Sequence, residues 1–224
     1  MNITRFHRFL NEGRNKYDSM SRTIVSKIIK KWAVDYKTGS FETVDNVWNM
    51  SYCSITIEKI LSFDVEARMF FTDKVEGFEV LPSTGATADD GDDAYILIDF
   101  AINPEWLPQY WSEIYMILSD VIRHEIEHIT QGGPNYRKGK PTGDDTELRK
   151  DIENSQERYK YYTLPLEIDA NLQGLRYEAK KRKEDIKTTI NRFLDIQDFT
   201  PEQKERILDI WRKRAKKIGG IPEF

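Results

Sequence analysis

The sequence predicts an α+β fold: N-terminal helices, then a small mixed or antiparallel sheet, then a run of helices to the end of the chain. Three observations predict it. Apolar residues recur at helical spacing near the N-terminus, strand-like alternation and short apolar runs fill the stretch from about 41 to 103, and helical periodicity with start and stop signals resumes from 104. Strands and helices are segregated along the chain, which argues against alternating βαβ units. With 224 residues, 39% of them hydrophobic and 12% aromatic, the chain is expected to form one domain. Its parts are a helical extension over 1–40, a sheet region over 41–103 and helices over 104–224.

The elements follow in order. Ile24, Val25, Ile28, Ile29 and Trp32 lie on one helical face with lysines between them, and Gly39-Ser40 breaks the pattern. Asp64 to Met69 alternates polar with apolar, as a half-buried strand does, and Phe78-Glu79-Val80 reads as another strand. Cys53 reads as a small residue within the sheet. Pro82 to Asp93 has no hydrophobic face and reads as a loop. Ala94 to Phe100 is a short apolar run, suited to a strand packed on both faces. Asn103-Pro104-Glu105 is a helix start signal, and a long helix is expected from about Trp111 to Gln131, stopped by Gly132-Gly133-Pro134. A polar stretch follows over 135–151. Helices are then expected over Pro165 to Lys183 and Ile186 to Ile196. Thr200-Pro201-Glu202-Gln203 is a capping box opening a last helix that carries Ile207, Leu208 and Trp211.

Charge and cysteine content exclude several classes. The net charge is −4, from 34 basic and 38 acidic residues, so no basic excess marks a nucleic-acid binder. The run Lys180-Lys181-Arg182-Lys183 is followed at once by Glu184-Asp185 and reads as a solvated helix face. The single cysteine allows no disulfide within the chain and no cage of thiolates. Met1 to Arg8 is polar, so neither a signal peptide nor a membrane partner is expected, and a reducing, cytoplasmic setting follows.

One pentapeptide carries chemistry. In His124-Glu125-Ile126-Glu127-His128 the two histidines are four apart, one above the other on the same helical face. Two imidazoles so placed can bind one Zn²⁺ at ~2.0–2.1 Å. Glu125 projects beside the metal, where it can take a proton from water and pass it to a leaving group. Ile117 and Val121 continue the histidine stripe backwards, and Leu118, Ile122 and Ile129 flank Glu125, so the three side chains are expected to face inward. A catalytic zinc needs a third protein ligand and an open position. His7 lies far off on a polar segment, and no histidine follows His128, so a carboxylate is required. Of Glu147, Glu153, Glu157 and Glu167, the Glu153 face is polar throughout. Glu167 instead shares its face with Ala170, Asn171 and Gly174, small enough for a second helix to come close. A buried carboxylate there is costly unless paired or metal-bound, which singles out Glu167. Asn171, one turn on, can orient a ligating histidine. Among Tyr159, Tyr161 and Tyr162, either Tyr161 or Tyr162 can hydrogen-bond the oxyanion of a tetrahedral intermediate, with packing as the alternative role.

The motif His124-Glu125-Ile126-Glu127-His128 followed by Glu167 resembles the zincin metallopeptidases, specifically their glutamate-ligand branch, the gluzincins. It departs from the metzincin pattern, since Pro134 stands where a third histidine would be. Tyr161-Tyr162-Thr163-Leu164-Pro165-Leu166-Glu167-Ile168-Asp169-Ala170 is similar to a stretch of small zincin-like proteins from phages and their hosts, which would place the chain in a host cytoplasm or a virion. The His128-to-Glu167 gap is longer than in thermolysin-like enzymes, and Asn171 stands where their aspartate does. The resemblance implies a zinc peptidase with a peptide or protein substrate. It also implies that the sheet edge just before the metal helix, a position Ala94 to Phe100 occupies, binds extended peptide by strand addition. A hydrolase of cell-wall peptides or another amide would use the same chemistry. A catalytically silent binding or virion structural protein is the alternative, against which the intact Glu125 argues.

Overall fold

A computed structural model of the chain describes residues 3–44, 48–58, 61–87, 94–131, 152, 157–218 and 220–224. The first helix, α1 (Ile3–Thr38), buries Ile24, Val25, Ile28 and Trp32 completely. Burying each such side chain contributes about 1.5–3 kcal/mol, far more than helix propensity, so burial decides which face turns inward. Gly39 ends the helix at φ +68°, a left-handed conformation that lets the Ser40 N–H donate back to the Asp35 carbonyl at 3.0 Å.

Among the described residues six strands form one mixed sheet: β1 (Glu42–Val44), β2 (Trp48–Ile57), β3 (Phe63–Phe71), β4 (Phe78–Val80), β5 (Gly85–Thr87) and β6 (Tyr95–Ile102). The order is β1-β2-β3-β6-β4, with β5 also on β6. β1, β2 and β3 pair antiparallel, β3 and β6 pair parallel with Ala67 opposite Ile98, and β4 and β5 run antiparallel to β6. Val65, Ala67 and Met69 of β3 and Ile96, Ile98 and Phe100 of β6 are buried in a core shared with α1 and the next helix. Cys53 lies within β2 at the edge of that core, and burial pushes its thiol pKa up, so it is a packed residue rather than a reactive one.

Two expectations change here. Ala94 to Phe100 is not an open edge. β4 pairs with one end of β6 and β5 with the other, and the Leu81 N–H donates to the Asp99 carbonyl between them at 2.9 Å. Asp99 points to the opposite face of the sheet, where it takes two bonds from Arg68 at 2.6 and 2.5 Å and one from Ser83 at 2.5 Å, pinning the β4–β5 connection over β6. Apolar residues on both faces of β6 fit this interior position. Second, the expected loop over Pro82 to Asp93 holds β5; residues 88–93 lie outside the described residues.

The long helix α2 (Leu107–Ile129) starts a turn before Trp111, with a proline in its first two positions. Asn103 Oδ1 accepts the Glu105 N–H at 3.1 Å in the turn ahead of it. The stop signal Gly132-Gly133-Pro134 lies outside the described residues. A 3₁₀ turn over Arg158–Thr163 leads into α3 (Pro165–Arg182), α4 (Ile186–Asp195) and α5 (Pro201–Ile218). The capping box forms in both directions: the Thr200 N–H donates to Gln203 Oε1 at 2.9 Å and the Gln203 N–H to Thr200 Oγ1 at 3.3 Å. Ile168, Leu172, Ile190, Leu194, Ile207 and Trp211 build a second apolar cluster among these helices. Helix α3 therefore lies between two cores, and its side facing α2 is where buried polar groups gather. Among the described residues no helix is long and apolar enough to cross a membrane.

Candidate metal centre

Helices α2 and α3 pack against each other without room for a side chain at one point. A Cβ placed on Gly174 would lie 2.2 Å from Asp120 Oδ1 and 2.9 Å from the Asp120 carbonyl oxygen. From that contact α3 runs back along α2, so Glu167, two turns before Gly174, comes to rest beside His124 and His128.

The three side chains converge. His124 Nε2 and His128 Nε2 are 3.0 Å apart, with the rings at 72°. Glu167 Oε1 is 3.5 Å from His128 Nε2 and Oε2 is 3.7 Å from His124 Nε2. The ring atoms and one Glu125 carboxylate oxygen lie within 4.8 Å of one another. The imidazoles keep 19% and 18% side-chain exposure, whereas Glu167 keeps 1%. Ligands of a tetrahedral ion at ~2.0–2.1 Å are separated by roughly 3.3–3.4 Å. The observed separations bracket that value, and two nitrogens with one oxygen is a donor set that suits Zn²⁺ and leaves a fourth position open. The residues therefore fit a metal.

Electrostatics in the site follow from burial and proximity. Burial, then the neighbouring His128, pushes the His124 pKa down to about 3. Burial also pulls His128 down, but its bond to Glu167 and that carboxylate's charge outweigh it, so its pKa ends above the ordinary value. The two rings are thus pushed in opposite directions, His124 toward its neutral form and His128 toward its charged one. A bound metal would compete with a proton for these ring nitrogens.

Gln131, which the sequence reading did not single out, touches both helices. Its Oε1 is 2.7 Å from His128 Nδ1, and its Nε2 donates to the Leu166 carbonyl at 3.1 Å. The only signal for it was its position three residues after His128, on the same helical side. Asn171 donates its amide to the Glu167 carbonyl at 2.8 Å, so its bond steadies α3 and not a histidine. The Tyr162 hydroxyl donates to Gln197 at 3.2 Å, and its ring packs on Phe193 and Phe199 in the C-terminal cluster. Tyr161 is partly buried, its ring edge-on to Tyr162 at 5.7 Å. Tyr159 is buried under the Arg206 guanidinium. Glu157 is exposed and paired with Lys160. Glu147 and Glu153, and the side chain of His7, lie outside the described residues.

One residue earlier at each turn of α2, a second polar group is buried. Arg123, 1% exposed, donates to Glu127 at 3.0 Å and to Gln173 at 3.3 Å, and its Nε is 3.5 Å from Asp18 of α1. Arg176 of α3 grips Asp18 with bonds of 2.5 and 3.2 Å. Burial raises the Asp18 pKa, but Arg176, Arg123 and Lys180 together hold it below the usual carboxylate value. Asp120 behaves in the opposite way: burial, Glu178 and Glu125 push its carboxyl well up.

No family model matches the chain, and neither the curated proteins nor the solved structures contain a match to it.

Proposed function

We propose that this chain is a zinc-dependent hydrolase of the peptidase type. His124, His128 and Glu167 hold the metal, and Glu125 is the general base and then the general acid. The observation that carries the reading is the meeting of three lone-pair donors from two helices, at 3.0, 3.5 and 3.7 Å, beside a second carboxylate, that of Glu125. A bound Zn²⁺ supplies Lewis acidity there and lowers the pKa of water from 15.7 to about 7.

The chain's own groups account for the rest. Glu125 is 7% exposed, so its carboxylate works in a partly dehydrated setting where a proton passes readily between it and an adjacent oxygen or nitrogen. It takes a proton from the attacking water as the oxygen adds to the amide carbonyl. It returns that proton to the amide nitrogen as the C–N bond breaks. Of the two tyrosines expected to serve the tetrahedral oxyanion, Tyr162 gives its hydroxyl to Gln197 and its ring to the C-terminal cluster, which assigns it to packing. The substrate is an extended peptide backbone. With β6 covered, the strand assigned to receive it is β5, which pairs with β6 and packs against α2.

The test is Glu125→Gln. The reading requires zinc content equal to wild type and loss of hydrolysis of an unfolded protein by roughly 10²–10⁴-fold, the usual contribution of a general base. A wild-type protein that binds zinc yet cleaves nothing in broad peptide libraries would instead favour a silent binding protein on the same fold.

A further inference from the structure

The amide of Gln131 bridges the two helices that carry the metal-ligating groups, and its chemistry admits a single arrangement. The Leu166 carbonyl can only accept a hydrogen bond, so the atom facing it at 3.1 Å is the Gln131 Nε2 donor. The atom facing His128 Nδ1 at 2.7 Å is then the Oε1 acceptor, and Nδ1 must carry a hydrogen. A neutral imidazole protonated on Nδ1 has its lone pair on Nε2, the atom that faces His124 and Glu167.

We propose that Gln131 is a positioning residue: it fixes His128 in the Nδ1–H tautomer, with Nε2 free to bind metal, and it ties that ring to the start of the helix bearing Glu167. Leu166 is the residue just before Glu167, so one side chain sets both the direction of a nitrogen ligand and the place of the oxygen ligand. Gln131 is 8% exposed, so water competes poorly for either bond. The proposal rests on the metal-site reading for its purpose, but the tautomer it requires is a property of the metal-free chain.

Two measurements test it. The first needs no variant and no metal. Nitrogen-15 shifts of the His128 ring in the metal-free wild type, recorded at a pH where the ring is neutral, are expected to show hydrogen on Nδ1, although free imidazole side chains favour hydrogen on Nε2. Predominant Nε2–H overturns the proposal, whatever the protein's activity. The second is zinc affinity, measured by competition with a chromophoric chelator. Gln131→Met keeps the length and removes the acceptor, and should weaken binding about 10–100-fold. Gln131→Glu keeps an acceptor for Nδ1–H but cannot donate to Leu166, so it should lose clearly less affinity than Gln131→Met while still falling below wild type. Equal losses in the two variants would mean that the tie to Leu166 matters and the tautomer does not, which overturns the assignment. Should wild type bind no zinc, the metal-site reading fails while the ring-nitrogen experiment still decides the role of Gln131.

Discussion

The contact between α2 and α3 contains two buried polar groups one residue apart in phase, and they are built on opposite principles. In the first, Arg123 and Arg176 meet Asp18, Glu127 and Gln173, so positive and negative charges answer one another across three helices. In the second, two imidazole nitrogens and a carboxylate turn electron pairs toward one point. Both sit in dehydrated surroundings. The comparison teaches that burial alone does not mark a functional site; the sign of what converges does. A cluster whose donors and acceptors balance serves the fold, whereas a cluster of acceptors gathered around one point suits a cation.

That contrast is open to direct attack. The largest effect is expected at Arg123. Arg123→Met leaves Asp18 and Glu127 with one fewer cation in the interior and should cost about 3–5 kcal/mol in denaturant unfolding. In His124→Ala the metal-free protein should shift by only about 1 kcal/mol or less, while zinc binding is lost. If the two variants destabilise the metal-free protein equally, the distinction between the clusters falls. Next comes Gly174→Ala, which forces a Cβ into Asp120. Overpacking of this kind costs roughly 1–3 kcal/mol. Because α3 must move away, zinc affinity should drop as well, and unchanged affinity would show that the closest approach does not place Glu167.

Smaller effects follow from protonation. A His128 pKa held above the unfolded value stabilises the metal-free fold below that unfolded value, and the gain disappears as pH rises through the folded pKa. Zinc would compete with a proton on His128, so its affinity should rise over that window; a flat profile would contradict the raised His128 pKa. Asp18, held low, acts in reverse: its contribution is present above the unfolded carboxylate pKa and is lost as pH falls through the folded one. The least effect is expected from Asp120→Asn, a mild stabilisation at neutral pH, because the raised carboxyl is penalised there when ionised.

Much of this arrangement was legible in residue order, for reasons that are local. A pair of histidines four apart must share a helical face, and small residues at 170 and 174 announce a close partner helix before the partner is known. The capping box at Thr200 works within four residues and is found as expected. What escaped notice depends on pairing at a distance. β4 was expected from Phe78-Glu79-Val80, but β5 is three residues long, too short to register as periodic, and together the two turn β6 from an edge into an interior strand. β2 is the longest strand, but Ser51 and Tyr52 blur its alternation, since Ser51 is buried against Asp35 of α1. Gln131 carries no signal by itself, because its meaning comes from where α3 begins, 34 residues later. Tyr162 was drawn toward the site by sequence proximity, but Phe193 and Phe199 offer its ring more contact area in the second core.

The central claim is that two helices deliver three ligands to one divalent ion. Calorimetric titration of zinc into metal-stripped protein tests it most directly, with wild type and Glu167→Ala side by side. The account predicts one ion per chain for wild type, and a loss of affinity of at least about 100-fold when the third ligand is removed. Zinc that binds both proteins equally well, or neither, would contradict it.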